Sequence, residues 1–152
     1  MSQRFLSIIL CGKKVAIGSQ VIAGLKPEYE VIEFVTSAEE GCVVLPKILQ
    51  GQGHLVSTSN GLGTHNYSVE PQGIMLGAGF EEADVQKMMD ACKGEDIRRV
   101  LWLRARRPEN VNEKLEPGTP AYIQAFVERA KACLHQLNAN GKLRSADEIV
   151  WF

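Results

Sequence analysis

Phe5-Leu-Ser-Ile-Ile-Leu10, then Cys11-Gly-Lys-Lys14, then Val15-Ala-Ile-Gly-Ser-Gln-Val-Ile-Ala-Gly-Leu25, then Tyr29-Glu-Val-Ile-Glu-Phe-Val35: the reading of this stretch decides the fold. Phe5 to Leu10 is a short, continuous apolar run, the pattern of a strand buried on both faces. Gly12-Lys13-Lys14 breaks it. Ile17, Val21 and Leu25, widened by Ile22, recur at helical spacing, and Pro27 closes that helix. Tyr29 to Val35 is rich in β-branched and aromatic residues and reads as a second strand. Two doubly buried strands joined by an amphipathic helix predict a parallel sheet with helices on its faces.

The same alternation runs through the rest of the chain. Ser37-Ala-Glu-Glu40 fits a capping box, and the helix it opens runs through Leu45 and Ile48, with Gly41 and Pro46 predicting that it is short or irregular. His54 to Ser57 is the expected third strand, and Ser57 to Ser68, with Gly61 and Gly63, a polar loop. Gly73-Ile-Met-Leu76 reads as a strand that ends in Gly77-Ala-Gly79. Val85, Met88, Met89 and Cys92 mark a helix with Glu81, Glu82 and Asp84 at its start, where the dipole favours anions. Val100 to Leu103 is another apolar run, followed by a loop from Pro108 to Pro117. Thr119-Pro120 supplies an N-cap and a proline at N1 for a long helix with Tyr122, Phe126, Cys133 and Leu137 on one face, which Asn140-Gly141 ends. Glu148 to Phe152 is a hydrophobic tail. The expectation is one Rossmann-like α/β domain over residues 1–152, a three-layer, doubly wound, mostly parallel sheet with right-handed crossovers.

Composition excludes several function classes. With 17 Lys+Arg against 18 Asp+Glu, the formal charge is −1, which argues against a general nucleic-acid binder. At 45% apolar and 23% charged, the 152-residue chain is ordinary globular material able to bury a core without disulfide or metal staples. Cys11, Cys42, Cys92 and Cys133 form no CxxC pair and have no histidine at ligand spacing, so no metal is expected. The apolar run before Gly12 is too short for a signal sequence, and nothing approaches a membrane span. These features predict a cytoplasmic protein with no membrane partner.

Gly12-Lys-Lys-Val-Ala-Ile-Gly18-Ser19 resembles the nucleotide-binding turn of the short-chain dehydrogenase superfamily, in particular its atypical, NmrA-like branch. Gly12 matches the first glycine of the family's Gly-x-x-Gly-x-x-Gly and Gly18 the third. The resemblance implies NAD(P) in the crevice above the turn, but Val15 replaces the glycine that lets the backbone approach the pyrophosphate, which disfavours NAD(P). The family's Tyr-x-x-x-Lys is absent: Tyr29, Tyr67 and Tyr122 are followed at that spacing by Glu33, Pro71 and Phe126. Thr36-Ser37 stands where an acidic residue would hold the ribose. The same residues also resemble the opening of a response-regulator receiver domain, but Cys11-Gly12 replaces its Mg²⁺-binding acids.

Ligands in open α/β sheets bind outside the carboxyl ends of the strands. The candidate binding residues there are Gly12, Lys13, Lys14, Gly18, Thr36, Gly77, Gly79, Arg104 and Arg106, with Arg107 beside them. Lysine, guanidinium pairs and a helix N-terminus suit an anionic metabolite or a nucleotide fragment. Alternation predicts that Arg104 and Arg106 face one way, and a doubly wound order would set them beside the first strand's end; the alternative to a ligand is internal pairing with Glu109, Glu113 or Glu116 downstream. The candidates for chemistry are Cys11, a thiol near a helix N-terminus, and His65 and Tyr67 in the polar loop. The alternative function is a non-catalytic interaction module or homodimer, joined through the apolar tail Ile149-Val-Trp-Phe152.

Overall fold

In the computed structural model, residues 6–56, 58, 60–106, 119–141 and 149–152 are described. The strands are β1 (Leu6–Cys11), β2 (Tyr29–Val35), β3 (Gly73–Leu76), β4 (Leu101–Arg104) and β5 (Ile149–Trp151). The helices are α1 (Val15–Leu25), α2 (Ala38–Leu49), α3 (Glu82–Ala91) and α4 (Pro120–Ala139). The strands form one sheet in the order β2-β1-β3-β4-β5, and every pair is parallel. The α/β, three-layer, doubly wound expectation holds. The order reverses between β1 and β3, which makes their carboxyl ends the topological switch point.

Each face of the sheet carries its own core. Ile8, Leu10, Val31, Met75, Leu101 and Leu103 meet α1 and α4, whereas Ile9, Cys11, Ile32, Ile74, Leu76 and Trp102 meet α2 and α3. These sets alternate along the strands as a sheet covered on both sides requires, and each fully buried Leu, Ile or Phe contributes about 1.5–3 kcal/mol. Gly41 is what allows α2 to lie against α3: a Cβ there would stand 2.5 Å from the sulfur of Met88. The apolar stripe of α2 thus outweighs Gly41 and Pro46, and the helix runs for 12 regular residues instead of stopping short.

Three features depart from the sequence reading. Where His54–Ser57 is expected as a third strand, the described residues form a single 3-10 turn, Gly53–Leu55, with Leu55 in solvent, and Ser57 lies outside the described residues. The outer edge of β2 is lined by a loop: Thr64 and His65 donate their N–H groups to Val31 and Ile32, and Asn60 Nδ2 donates to the Phe34 carbonyl at 2.8 Å. A covered edge needs no further strand. Second, β2 is bulged. Ile8 pairs with Val31 but Ile9 pairs with Glu33, leaving Ile32 unopposed. Consecutive carbonyls, of Val31 and Ile32, therefore both turn to the outer edge, and Ile32 and Glu33 both face the α2–α3 side. Third, α4 packs on the α1 face although β5 follows β4 in the direction in which β4 follows β3. The β4–α4–β5 crossover consequently has the opposite hand to β3–α3–β4, an arrangement found in only about 2% of parallel crossovers.

The tail docks on its own chain. β5 pairs with β4, Phe152 N–H donates to the Arg104 carbonyl at 3.0 Å, and the buried Phe152 ring meets Phe126 edge to face at 5.5 Å. Among the described residues no helix is long and apolar enough to cross a membrane.

Candidate functional site

The switch point is built by the turns after β1 and β3. Gly12 N–H is held by the Val35 carbonyl and Gly77 N–H by that of Cys11, both at 2.9 Å. Lys13 lies across the crevice: its stem runs over Gly79, where a Cβ would come within 3.0 Å, and its ammonium sits 4.5 Å above the Phe80 ring and 3.9 Å from Asp84. Lys14, exposed, is the N-cap position of α1, and its side chain makes no capping bond. No acid occupies the first turn of α1 either. The other three helices are capped from within: Ser37 accepts from Glu40 N–H, Glu81 and Asp84 form a reciprocal box, and Thr119 accepts from Tyr122 N–H. In the α2 box Glu40 reaches back to Thr36 N–H at 3.3 Å, so the backbone donor of Thr36 at the end of β2 is already engaged.

The two glycines that resemble a dinucleotide turn serve packing. The ring of Phe34, fully buried, lies against both: a Cβ on Gly12 would sit 3.1 Å from it and one on Gly18 2.3 Å. Val15, at the position of the missing glycine, is exposed at the start of α1.

The arginines are arranged differently from the sequence expectation. β3 lies between β1 and β4, so Lys13 and Arg104 are not neighbours; both reach the first turn of α3, where Lys13 meets Asp84 and Arg104 meets Glu82. Arg104 is buried, with Nη1 2.6 Å from Glu82 and its guanidinium 4.3 Å from the Trp151 ring centre. Its partner is thus an upstream acid. Arg106 is exposed, and its N–H donates to the Phe152 carbonyl at 2.6 Å. Arg107, Glu109, Glu113 and Glu116 lie outside the described residues.

A second cluster centres on a residue the sequence reading passed over. Glu33 is 0% exposed. Tyr67 Oη donates to its Oε2 at 2.9 Å, and His65 Nε2 lies 3.3 Å from the same oxygen. Burial raises the Glu33 pKa; the Tyr67 hydroxyl, the His65 charge and the Thr58 hydroxyl work against that rise, and Glu40 on α2 adds to it. Although Thr58 is near enough to favour the charged form, Glu33 Oε1 and Thr58 Oγ1 both lack a partner in good hydrogen-bonding geometry among the described residues. Tyr67 is held well above its ordinary range by its own burial and by Glu33. The loop meets Glu33 only by accepting strained or close backbone. His65 has φ 57°, and Gly63, at φ 102°, passes so near β2 that a Cβ would stand 2.6 Å from the Ile32 carbonyl. Gly53 makes room for the Tyr67 ring. The sequence carried one signal, a charged residue inside the apolar run Val31-Ile-Glu-Phe-Val35.

Cys11, the third candidate for chemistry, is fully enclosed, and its thiol is pushed far up by burial, then by Cys92 and Glu40. The lowered pKa of an activated thiol is not found there. Among the described residues no three His, Cys, Asp or Glu side chains are disposed to hold a metal.

No protein-family model matches the chain, and no solved structure matches it. The chain is similar to Kojic acid related protein 6 of Aspergillus oryzae, at 30% identity over 147 residues, which cover 95% of this chain and 84% of that one. Over nearly its whole length, then, this α/β chain belongs to the family of that Aspergillus protein.

Proposed function

We propose that the protein binds a small anionic molecule, such as a phosphate-bearing metabolite or a nucleotide fragment, in the β1–β3 crevice, and that it is not a dehydrogenase. The observation that carries this reading is the start of α1. Among the four described α-helices it is the one start with neither a side-chain cap nor an acid in its first turn, and it opens at the switch point beside Lys13 and Lys14. Free N–H groups, the positive end of the helix dipole and two lysines make a receptor for an anion. Gly77, with no side chain packed on it, lets a ligand reach the backbone, whereas Phe34 fills the space at Gly12 and the Lys13 stem covers Gly79; Thr36, Arg104 and Arg106 border the same carboxyl end of the sheet. The Lys13–Asp84 pair, long and solvent-exposed, is worth less than about 1 kcal/mol, so an incoming anion displaces Asp84 cheaply.

A full dinucleotide fits poorly. Val15 crowds the pyrophosphate position, and the space at Gly12 and Gly18 is filled by Phe34. The name of the Aspergillus relative associates that protein with kojic acid, a small molecule, which accords with a small-molecule ligand here.

Thermal-shift titration and calorimetry with inorganic phosphate, AMP and NAD(H) test the reading. At a ligand concentration 100 times Kd the stabilisation is about 2.7 kcal/mol. Phosphate or AMP stabilises the wild type, the shift disappears in Lys13→Ala/Lys14→Ala, and NAD(H) binds no better than AMP. An equal shift in the double variant, or none in the wild type, rejects the site. The second reading, self-association through the tail, rests on Ile149 and Trp151, both more than one-third exposed on the outermost strand. A concentration-dependent sedimentation coefficient that is lost in Trp151→Ser supports it.

A further inference from the structure

The loop on the edge of β2 is attached to five residues of that strand through contacts that differ in chemistry. Thr64 and His65 donate backbone N–H groups to Val31 and Ile32, each at 3.0 Å, and Asn60 donates to Phe34. Asn66 reaches Glu30 at 3.3 Å. Tyr67 and His65 converge on one oxygen of Glu33, a carboxylate with no access to water. The first set is indifferent to pH. The Glu33 contacts are not, because a buried carboxylate needs either a proton of its own or a cationic neighbour. His65, whose side chain is 44% exposed, links the enclosed carboxyl to the surface.

We propose that Asn60–Tyr67 is a proton-operated strap over the free edge of β2, closed while Glu33 holds a proton and loosened when that proton leaves. With the proton in place the buried carboxyl is neutral, and Tyr67 and His65 close over it at 2.9 and 3.3 Å. Without it, a bare carboxylate is left inside with the Tyr67 hydroxyl as its main donor. The other titratable group acting on Glu33 is Glu40 of α2, whose negative charge opposes ionisation of Glu33 and so drives the same proton uptake. Glu30, on the same strand, is held by Asn66. The sign follows from the direction of the Glu33 shift. Once the strap opens, Glu33 returns to the ordinary range near 4.5, whereas in the closed state it holds its proton to higher pH. Closure is therefore fully favoured at acid pH and weakens as pH rises through the closed-state value. Strain at His65 and the close approach of Gly63 are the geometric costs that the closed latch offsets.

Hydrogen exchange at the Thr64 and His65 amides of the full chain, followed from pH 5 to 9 and corrected for intrinsic exchange, reads the strap directly. In the wild type their protection falls with rising pH, by up to about tenfold per pH unit while the Glu33 proton is leaving, and the amides of β1 show no such trend. In Glu33→Gln, which still accepts from Tyr67 but never ionises, protection at Thr64 and His65 is flat with pH. His65→Asn, a residue that tolerates positive φ, removes the charge that opposes the rise of Glu33, so the loss of protection moves to higher pH, and it serves if Glu33→Gln fails to fold. A flat wild-type profile, or a profile unchanged in either variant, overturns the proposal.

Discussion

Replacing Gly18 by alanine sets two well-understood effects against each other. Inside α1, where Gly18 is the fourth residue, Gly→Ala gains up to about 0.8–1.0 kcal/mol of helix propensity. Against it stands the Phe34 ring, three atoms of which would lie 2.3, 2.5 and 2.9 Å from the new Cβ. The ring is fully buried, has Gly12 at its other contact, and has no solvent to swing into. Overpacking of this kind costs about 1–3 kcal/mol, and contacts this short belong at the upper end. The expected net effect is destabilisation by about 2 kcal/mol, a fall in Tm of about 4–8 °C for a chain of this size. Urea unfolding checks it, with the midpoint falling at unchanged m. The decisive control is the double-mutant cycle with Phe34→Leu. Removing the ring tip relieves the clash, so the double variant is more stable than the two single losses predict, by at least about 1 kcal/mol. If Gly18→Ala is neutral or stabilising, helix propensity has won, and the claim that this glycine exists to seat Phe34 is refuted.

Gly63→Ala meets both a positive φ and the Ile32 carbonyl, so it releases the loop from β2; a loss of about 1–3 kcal/mol is expected, together with faster exchange at the Thr64 and His65 amides. Ser37→Ala removes the cap of α2 and costs about 1 kcal/mol by urea unfolding. At Arg104, methionine keeps an apolar stem in the buried space and leaves only the exposed Glu82 unpaired, whereas alanine leaves a void; thermal melts place Arg104→Met closer to wild type than Arg104→Ala. A thiol reagent at pH 8 labels the half-buried Cys42 and Cys133 of the folded chain first. Cys11, enclosed, and Cys92, pushed up to about 12 by burial, react only after unfolding, and prompt labelling of Cys11 contradicts the account of it as a core residue.

Local pattern is enough for the elements that rely on local physics. The bounds of β2 at Tyr29–Val35, the Ser37 cap, Pro120 opening α4 and the apolar stripe of α3 are all written in periods of two or of three to four residues and in cap chemistry, so the α/β alternation and the buried parallel sheet follow from the sequence alone. The tertiary structure decided what depends on one unpaired residue or on distant partners. The bulge at Ile32 turns Glu33 to the α2–α3 face, where it meets His65 and Tyr67, and regular alternation from Tyr29 would have sent it to the other side. Gly12 and Gly18 resemble a ligand-binding turn in sequence, and only the position of Phe34 shows that a ring occupies their space. Glu82 claims Arg104 because α3 starts beside the end of β4, a neighbourhood set by strand order and not by any spacing along the chain. Periodicity records which face a residue prefers, but contact between residues more than 20 positions apart is a property of how the layers stack, and that is where both candidate sites are made.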